Sequence, residues 1–178
     1  LVALKNEGDI ILAATEEEVR HVKPGPDKSP FFYEYCSNLF SQEYRGKFTL
    51  QTPFQQKTKT EILVEWKNKW LQIYNLSPYD TTTCYYGTEC GTCNSCFKRS
   101  LALLAAGFDL DPGIKSNPFV SNIEKVHVYL KRIKYRSKEF TSAVRSDILR
   151  GFIAAKRKNL LPELIKEEIE FLEKRDIL

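Results

Sequence analysis

The sequence predicts an α/β protein that combines a parallel β-sheet, a metal site made of four cysteines and an all-helical C-terminal segment. Two short apolar runs in the first third of the 178 residues are each followed by a stretch with helical periodicity. Four of the five cysteines fall between positions 84 and 96. From about residue 122 to residue 177, apolar residues recur at three- and four-residue spacing. That spacing is typical of amphipathic helices.

Strands and helices alternate in the N-terminal part of the sequence. The predicted elements are, in order, a strand at 9–15 (DIILAAT), a helix at 30–44, a strand at 47–52 (KFTLQT) and a helix at 58–74. The first strand is a short apolar run, which is typical of a strand buried on both faces. Ser29 and Pro30 are favoured at the N-cap and at the first helical position, and they mark the start of the first helix. Alternation of this kind implies parallel strands joined by right-handed crossovers.

The C-terminal segment carries most of the positive charge. Residues 1–112 contain 12 Lys and Arg against 14 Asp and Glu, whereas residues 113–178 contain 15 against 9. We interpret this surplus in two ways, as a solvated helical face or as a contact surface for an acidic partner or nucleic acid. The aromatic residues spread among these charges fit a helical core and also fit a nucleic-acid surface; they are Tyr129, Tyr135, Phe140 and Phe152.

The cysteines at 84, 90, 93 and 96 have the spacing C-x5-C-x2-C-x2-C, with glycines at 87 and 91 between them. Four thiolates on short loops match a tetrahedral structural zinc site, and we expect one zinc ion per chain. Disulfides and an iron–sulfur cluster are the competing interpretations. A closed site of four thiolates has no open coordination position, so it predicts a metal that stabilises structure and does not activate water.

Few other residues suggest chemistry. Cys36 lies on the aromatic face of its predicted helix and fits a small core residue, while His21 and His127 have no evident partner groups. The sequence contains no Ser/His/Asp constellation, and the catalytic residues stay unassigned. It also has no apolar run of eighteen residues and no secretory signal pattern, so we expect a cytoplasmic protein without a membrane association. The absence of methionine and the helix-like start LVALKN suggest that an N-terminal part is missing from this chain.

The cysteine cluster and its neighbours resemble one family, the QueC family of 7-cyano-7-deazaguanine (preQ0) synthases within the PP-loop ATP pyrophosphatase superfamily. The resemblance is carried by LQTPF at 50–54, TKTEI at 58–62 and TTCYYGTECGTCNSCFKR at 82–99, and it continues through LLAAGFDLDP at 103–112. PGPDKSPFF at 24–32 is similar to the substrate loop of the family, but Lys28 and Ser29 stand where the family has Cys-Arg. The phosphate-binding motif S-G-G-x-D-S of the family does not occur in these 178 residues.

The resemblance implies a fold, a reaction and ligands. The fold is part of a Rossmann-like (HUP, PP-loop) parallel sheet in a domain at 1–112, with a zinc knot at 84–96 and a basic helical extension at 113–178. The reaction is ATP-dependent ligation, in which 7-carboxy-7-deazaguanine and ammonia become the nitrile through adenylation. The implied substrate contacts are Asp27 and Thr15, the implied metal ligands are Cys84, Cys90, Cys93 and Cys96, and ATP with Mg²⁺ is the co-substrate if the phosphate-binding loop precedes the chain.

The resemblance also implies a homodimer that binds a small deazaguanine and ATP. QueC-like proteins occur in phages and in phage-defence operons as well, and the divergent loop and the basic extension fit such an antiviral variant of the chemistry. The alternative is a non-catalytic, zinc-stabilised module that binds nucleic acid or a partner protein through residues 122–178.

Overall fold

The structure is a computed structural model, which describes residues 8–11, 29–51, 53–138 and 140–174, with the backbone alone for 8–11, 30 and 51. The chain divides into two compact units, Leu1–Thr58 and Lys59–Leu178. None of the helices in these described ranges combines the length and the apolar composition that a bilayer crossing requires.

The first unit contains two parallel strands with a helix between them in the chain. Strand β1 (Gly8–Ile11) pairs in parallel with β2 (Phe48–Gln51), so that Gly8 lies opposite Phe48. Helix α1 (Pro30–Glu43) begins where the sequence predicts, because the Ser29 hydroxyl accepts a hydrogen bond from the Phe32 N–H at 3.1 Å. The predicted order of strand, helix and strand is confirmed, while residues 12–15 of the first predicted strand lie outside the described residues.

The larger Rossmann-like sheet is not seen in the described residues, which hold these two strands. The N–H groups of Phe48 and Leu50 donate to the hydroxyls of Ser41 and Ser37 in α1, at 3.0 and 2.8 Å. A backbone N–H that is bonded to a helix side chain is no longer available to a neighbouring strand. The N–H groups on this side of β2 are therefore already used, and a wider sheet stays a prediction.

The second unit is helical in its described residues. Its elements are, in order, α2 (Lys59–Glu65), a π-helical turn (Trp66–Trp70), α3 (Leu71–Tyr74), a 3₁₀ turn (Pro78–Asp80), α4 (Asn94–Ala105), α5 (Pro118–Ser121), α6 (Ile123–Lys134), α7 (Ser142–Arg157) and α8 (Glu163–Glu173). The helix predicted for 58–74 is confirmed as one helical run with a π turn inside it, and it ends where Asn75 adopts a left-handed conformation with φ 52°. The helical segment predicted from about residue 122 onward is confirmed in its described residues as the helices α6, α7 and α8, whereas the single turn α5 was not predicted.

The core of the second unit joins α4 to the C-terminal helices. Three phenylalanines from three helices, Phe97, Phe119 and Phe152, are completely buried and lie within 6.4 Å of one another by ring centroid. The other large side chains that are completely or almost completely buried in this core are Leu104, Val126, Leu130, Ile133, Leu149, Ile165, Ile169 and Leu172. The segment that carries the cysteines is therefore fixed to the helical segment by a shared apolar core.

A glycine allows α4 and α7 to approach closely. A Cβ atom at Gly151 of α7 would lie 2.6 Å from the carbonyl oxygen of Leu101 in α4, which is closer than real Cβ contacts. Only glycine fits at this crossing.

The domain boundary predicted after residue 112 stays a prediction. The second compact unit of the structure extends across that position.

Candidate metal centre

The four clustered cysteines come together at the start of α4. One sulfur from each of Cys84, Cys90, Cys93 and Cys96 lies within 4.8 Å of the others, and the sulfurs of Cys90 and Cys96 are 3.9 Å apart. A tetrahedral site with Zn–S bonds of about 2.3 Å separates its sulfurs by about 3.8 Å. The observed spacing therefore fits a tetrahedral metal ion with little rearrangement.

The local backbone explains how the cysteines converge. Cys93 is the N-cap of α4, and its sulfur accepts a hydrogen bond from the Cys96 N–H at 3.4 Å. The N-terminus of a helix carries a partial positive charge, which favours thiolates there. Gly87 and Gly91 turn the chain between cysteines with φ values of +71° and +77°. These left-handed turns, which glycine adopts without strain, fold the cysteines back on one another.

The surroundings of the sulfurs set different thiol acidities. The hydroxyl of Thr92 donates to the Cys90 sulfur at 3.3 Å and the Thr92 N–H donates to it at 3.4 Å, and these bonds lower the pKa of Cys90 to about 6. Burial acts to raise the pKa of Cys93, but the hydrogen bonds from Cys96 and from the Tyr85 backbone together outweigh it, so the pKa is lowered. Burial raises the pKa of the Cys96 thiol, which donates to the Glu89 carboxylate at 3.3 Å. Metal binding must displace that proton.

The geometry distinguishes between the competing interpretations of the cysteines. None of the five cysteines, all within the described residues, forms a disulfide, and the 3.9 Å between the sulfurs of Cys90 and Cys96 is far longer than an S–S bond, which argues against a disulfide framework. Cys36 lies on α1 in the first unit and does not belong to the cluster. Four sulfurs at this spacing suit zinc and also suit iron, so the identity of the metal is a matter for metal analysis.

The other predicted residues have different outcomes. Thr15, Asp27 and His21 lie outside the described residues, and their predicted roles stay predictions. The side chain of His127 is half exposed and its Nδ1 lies 3.8 Å from a Glu168 oxygen, which is a surface pair and not a site. Arg99, which is buried beside the cysteines, was not predicted as a site residue from the sequence. Its position three residues after Cys96 was a usable signal, because residues three apart share one face of a helix.

Four cysteine sulfurs gathered at the start of a helix give the second unit, which is helical in its described residues, a candidate metal centre. A family model described as Queuosine biosynthesis protein QueC matches residues 3–107, which include all four clustered cysteines. The chain therefore belongs to the QueC family, a family of queuosine biosynthesis within the ATP-dependent PP-loop superfamily. The match ends before the helical extension at 113–178, all of which lies outside it. No curated protein and no solved structure matches the chain.

Two glycines of the cysteine loop provide a matched test of its packing. A Cβ atom at Gly91 would lie 1.9 Å from the carbonyl oxygen of Ser116, whereas a Cβ atom at Gly87 has no neighbour within 4 Å. Both substitutions to alanine incur the strain of a left-handed backbone, about 1–2 kcal/mol. We expect Gly91→Ala to lower the melting temperature and the metal content much further than Gly87→Ala, because only Gly91→Ala forces the loop away from Ser116. Equal losses in the two variants would contradict the close approach.

Proposed function

We propose that this protein is a QueC-type ATP-dependent ligase that converts 7-carboxy-7-deazaguanine and ammonia into the nitrile preQ0. The observation that carries the proposal is the gathering of four cysteine sulfurs within the range that the QueC family model matches. A cluster that shares both the family sequence and the geometry of a metal site supports the chemistry of that family. Family membership supports a role in queuosine biosynthesis, and the ligase reaction is the finer proposal.

Cys84, Cys90, Cys93 and Cys96 would hold the metal, and zinc suits four thiolates best. With all four positions filled by sulfur, zinc in this site supplies structural cross-linking and no Lewis-acid chemistry. Cys96 lies at the start of α4, and the next residue, Phe97, lies at the centre of the apolar core. The cysteines therefore fix the loop before α4 to the rigid part of the unit, and binding and reaction fall to other residues.

The proposed reaction balances with two molecules of ATP. The substrate carboxylate attacks the α-phosphorus of ATP and releases pyrophosphate, and ammonia then displaces AMP to form an amide. The amide oxygen attacks a second ATP, again releasing pyrophosphate, and loss of AMP with the remaining amide protons leaves the nitrile. The two carboxylate oxygens leave on the two AMP molecules. Mg²⁺ would accompany ATP, because it binds the phosphate oxygens of nucleotides and neutralises part of their charge.

Asp27 and Thr15 are the proposed substrate contacts. A deazaguanine presents two neighbouring N–H donors on its pyrimidine ring, and one carboxylate can accept both bonds. Asp27 supplies such a carboxylate in the loop that resembles the family's substrate loop. Thr15 follows a strand of the parallel pair, and ligands of open α/β sheets bind beyond the carboxyl ends of strands. Its hydroxyl would therefore face the substrate crevice.

An assay with purified full-length protein tests the proposal. With Mg-ATP, ammonium and 7-carboxy-7-deazaguanine, we expect mass spectrometry to detect the nitrile and chromatography to detect two AMP per nitrile. Asp27→Asn is expected to raise KM for the deazaguanine more than tenfold and to leave KM for ATP unchanged, because one charged acceptor is lost. Zinc-loaded protein that forms no AMP with all substrates present would contradict the ligase. AMP that forms only with an added macromolecule would instead favour the antiviral variant of the chemistry.

One observation favours the alternative function, a module that binds nucleic acid through the helical segment. Five basic residues occur between positions 131 and 138 without an acidic residue among them. Lys131, Lys134, Arg136 and Lys138 are exposed, and no carboxylate of the described residues forms an ion pair with any of these four. By contrast, Tyr129, Phe140 and Phe152 pack in or against the core. Binding to RNA or DNA that weakens with salt and is lost when the four basic residues are replaced by alanine would support this module.

A further inference from the structure

A buried arginine lies between the cysteine loop and the two segments that flank it. The guanidinium of Arg99 belongs to α4 and is 9% exposed. Its Nη2 donates to the carbonyl of Pro78 and to the Asp111 carboxylate, both at 2.9 Å. Its Nη1 donates to the Thr81 carbonyl and lies 3.6 Å from Glu89 Oε1. One planar group thus contacts the segment before the cysteines, the cysteine loop itself and the loop that follows α4.

Glu89 connects this arginine to the sulfurs. Its side chain is 10% exposed, and one carboxylate oxygen lies 3.3 Å from the Cys96 sulfur. The other oxygen accepts a hydrogen bond at 3.2 Å from the N–H of Thr83, the residue immediately before Cys84. The backbone carbonyl of Glu89 accepts a hydrogen bond from the Lys115 N–H at 2.9 Å. Glu89 therefore determines where the loop lies between the first and second cysteines.

The charges around the sulfurs need a buried cation. A zinc ion with four thiolates carries a net charge of −2, and the carboxylates of Glu89 and Asp111 lie close by. Buried charges of one sign are costly unless a partner of the opposite sign neutralises them. Arg99 is the cation that contacts both carboxylates. Its planar fork also satisfies two carbonyls at once, which an ammonium group on a flexible stem does not reproduce.

We propose that Arg99 is a positioning residue for the metal site, which acts through Glu89 and the Thr81 carbonyl to hold the cysteine loop in its metal-binding form. Groups that orient metal ligands change metal affinity about 10- to 100-fold when they are replaced. The proposal depends on metal binding by the four cysteines and not on the ligase reaction. Loss of the ligase activity would therefore leave it intact.

The test is a metal titration of the full chain with Co²⁺, whose absorption bands report tetrahedral thiolate ligation, and with Zn²⁺ in competition with a chromophoric chelator. We expect Arg99→Lys to weaken zinc binding at least about tenfold and to shift the Co²⁺ bands, because the charge remains but the fork is lost. Arg150→Lys is the matched control, since Arg150 is an arginine of the same unit that pairs with Asp147 away from the sulfurs. That variant should bind metal as the wild-type chain does.

A second pair of variants separates positioning from general stability. Arg99→Met should weaken zinc binding further. Adding Glu89→Gln should recover part of the affinity, because it removes the carboxylate beside Cys96 that Arg99→Met leaves without a cation. Arg99→Lys could instead leave the zinc affinity and the Co²⁺ bands unchanged and lower the melting temperature equally with and without metal. That result would show that Arg99 contributes to stability alone and would overturn the proposal. If the Arg99 variants do not fold, Glu89→Gln alone must shift the Co²⁺ bands, and unchanged bands would overturn the proposal. A wild-type chain that binds neither metal would also overturn it.

Discussion

Replacing Cys96 with serine is expected to remove bound zinc and to lower the stability of the second unit. Cys96 is completely buried, and its sulfur lies 3.9 Å from that of Cys90. A serine hydroxyl does not ionise at neutral pH and is a poor zinc ligand, so three sulfurs would remain to hold the ion. A cross-link that closes a loop of about 15 residues contributes about 3 kcal/mol, which corresponds to a melting temperature lower by roughly 6–12 °C.

The helices are expected to survive this substitution. The apolar core of the second unit is built from α4 to α8 and does not include the loop before Cys96. Far-UV circular dichroism should therefore change little at room temperature, while proteolytic cleavage within residues 85–92 should become faster. The measurements are zinc per chain by mass spectrometry after dialysis, the thermal melting curve and limited proteolysis.

Cys36→Ser provides the matched control for this prediction. Cys36 is a cysteine of the first unit that lies outside the cluster, so its variant should retain one zinc per chain. A Cys96→Ser variant that keeps one zinc after dialysis would contradict the metal site. If the wild-type chain contains iron and absorbs visible light, the four cysteines hold an iron–sulfur cluster and not zinc.

The sequence predicted the features that depend on local spacing. Ser29 followed by Pro30 located the start of α1, because capping chemistry acts within one helical turn. The cysteine spacing predicted that four sulfurs would converge, because short loops with left-handed glycines leave few other arrangements. Both predictions rest on interactions between residues fewer than about 15 positions apart.

The features that the sequence did not predict depend on contacts between distant segments. Gly151 reads as an unremarkable helix residue, yet the crossing of α4 and α7 excludes a side chain there. Arg99 is of a residue type that is mostly exposed, yet it is buried and donates to the carbonyls of Thr81 and Pro78, which lie 18 and 21 positions away. The edge of β2 is occupied by serines of α1, a pairing that strand periodicity does not encode. A side chain's partners in such cases follow from tertiary packing, which a single sequence leaves open.

The second large effect is expected for Phe97→Ala. Phe97 follows Cys96 directly and is completely buried. Its ring lies 5.9 Å from that of Phe119 and 5.4 Å from that of Tyr129, both in edge-to-face geometry, and 6.4 Å from that of Phe152. Truncation of a buried phenylalanine costs about 3–5 kcal/mol through lost burial and the cavity left behind. We expect the melting temperature to fall by roughly 6–20 °C.

Two further variants make this prediction specific. Phe97→Leu fills most of the volume and should lose clearly less stability than Phe97→Ala, because the cavity is smaller while the aromatic contacts are still removed. Leu164→Ala removes an apolar side chain of the same unit that is 70% exposed, and it should change stability by less than about 0.5 kcal/mol. Denaturant unfolding measures all three variants. Because the helix that contains Phe97 also begins at the cysteines, Phe97→Ala should weaken zinc binding as well. If Phe97→Ala has wild-type stability, α4 does not join the metal site to this core.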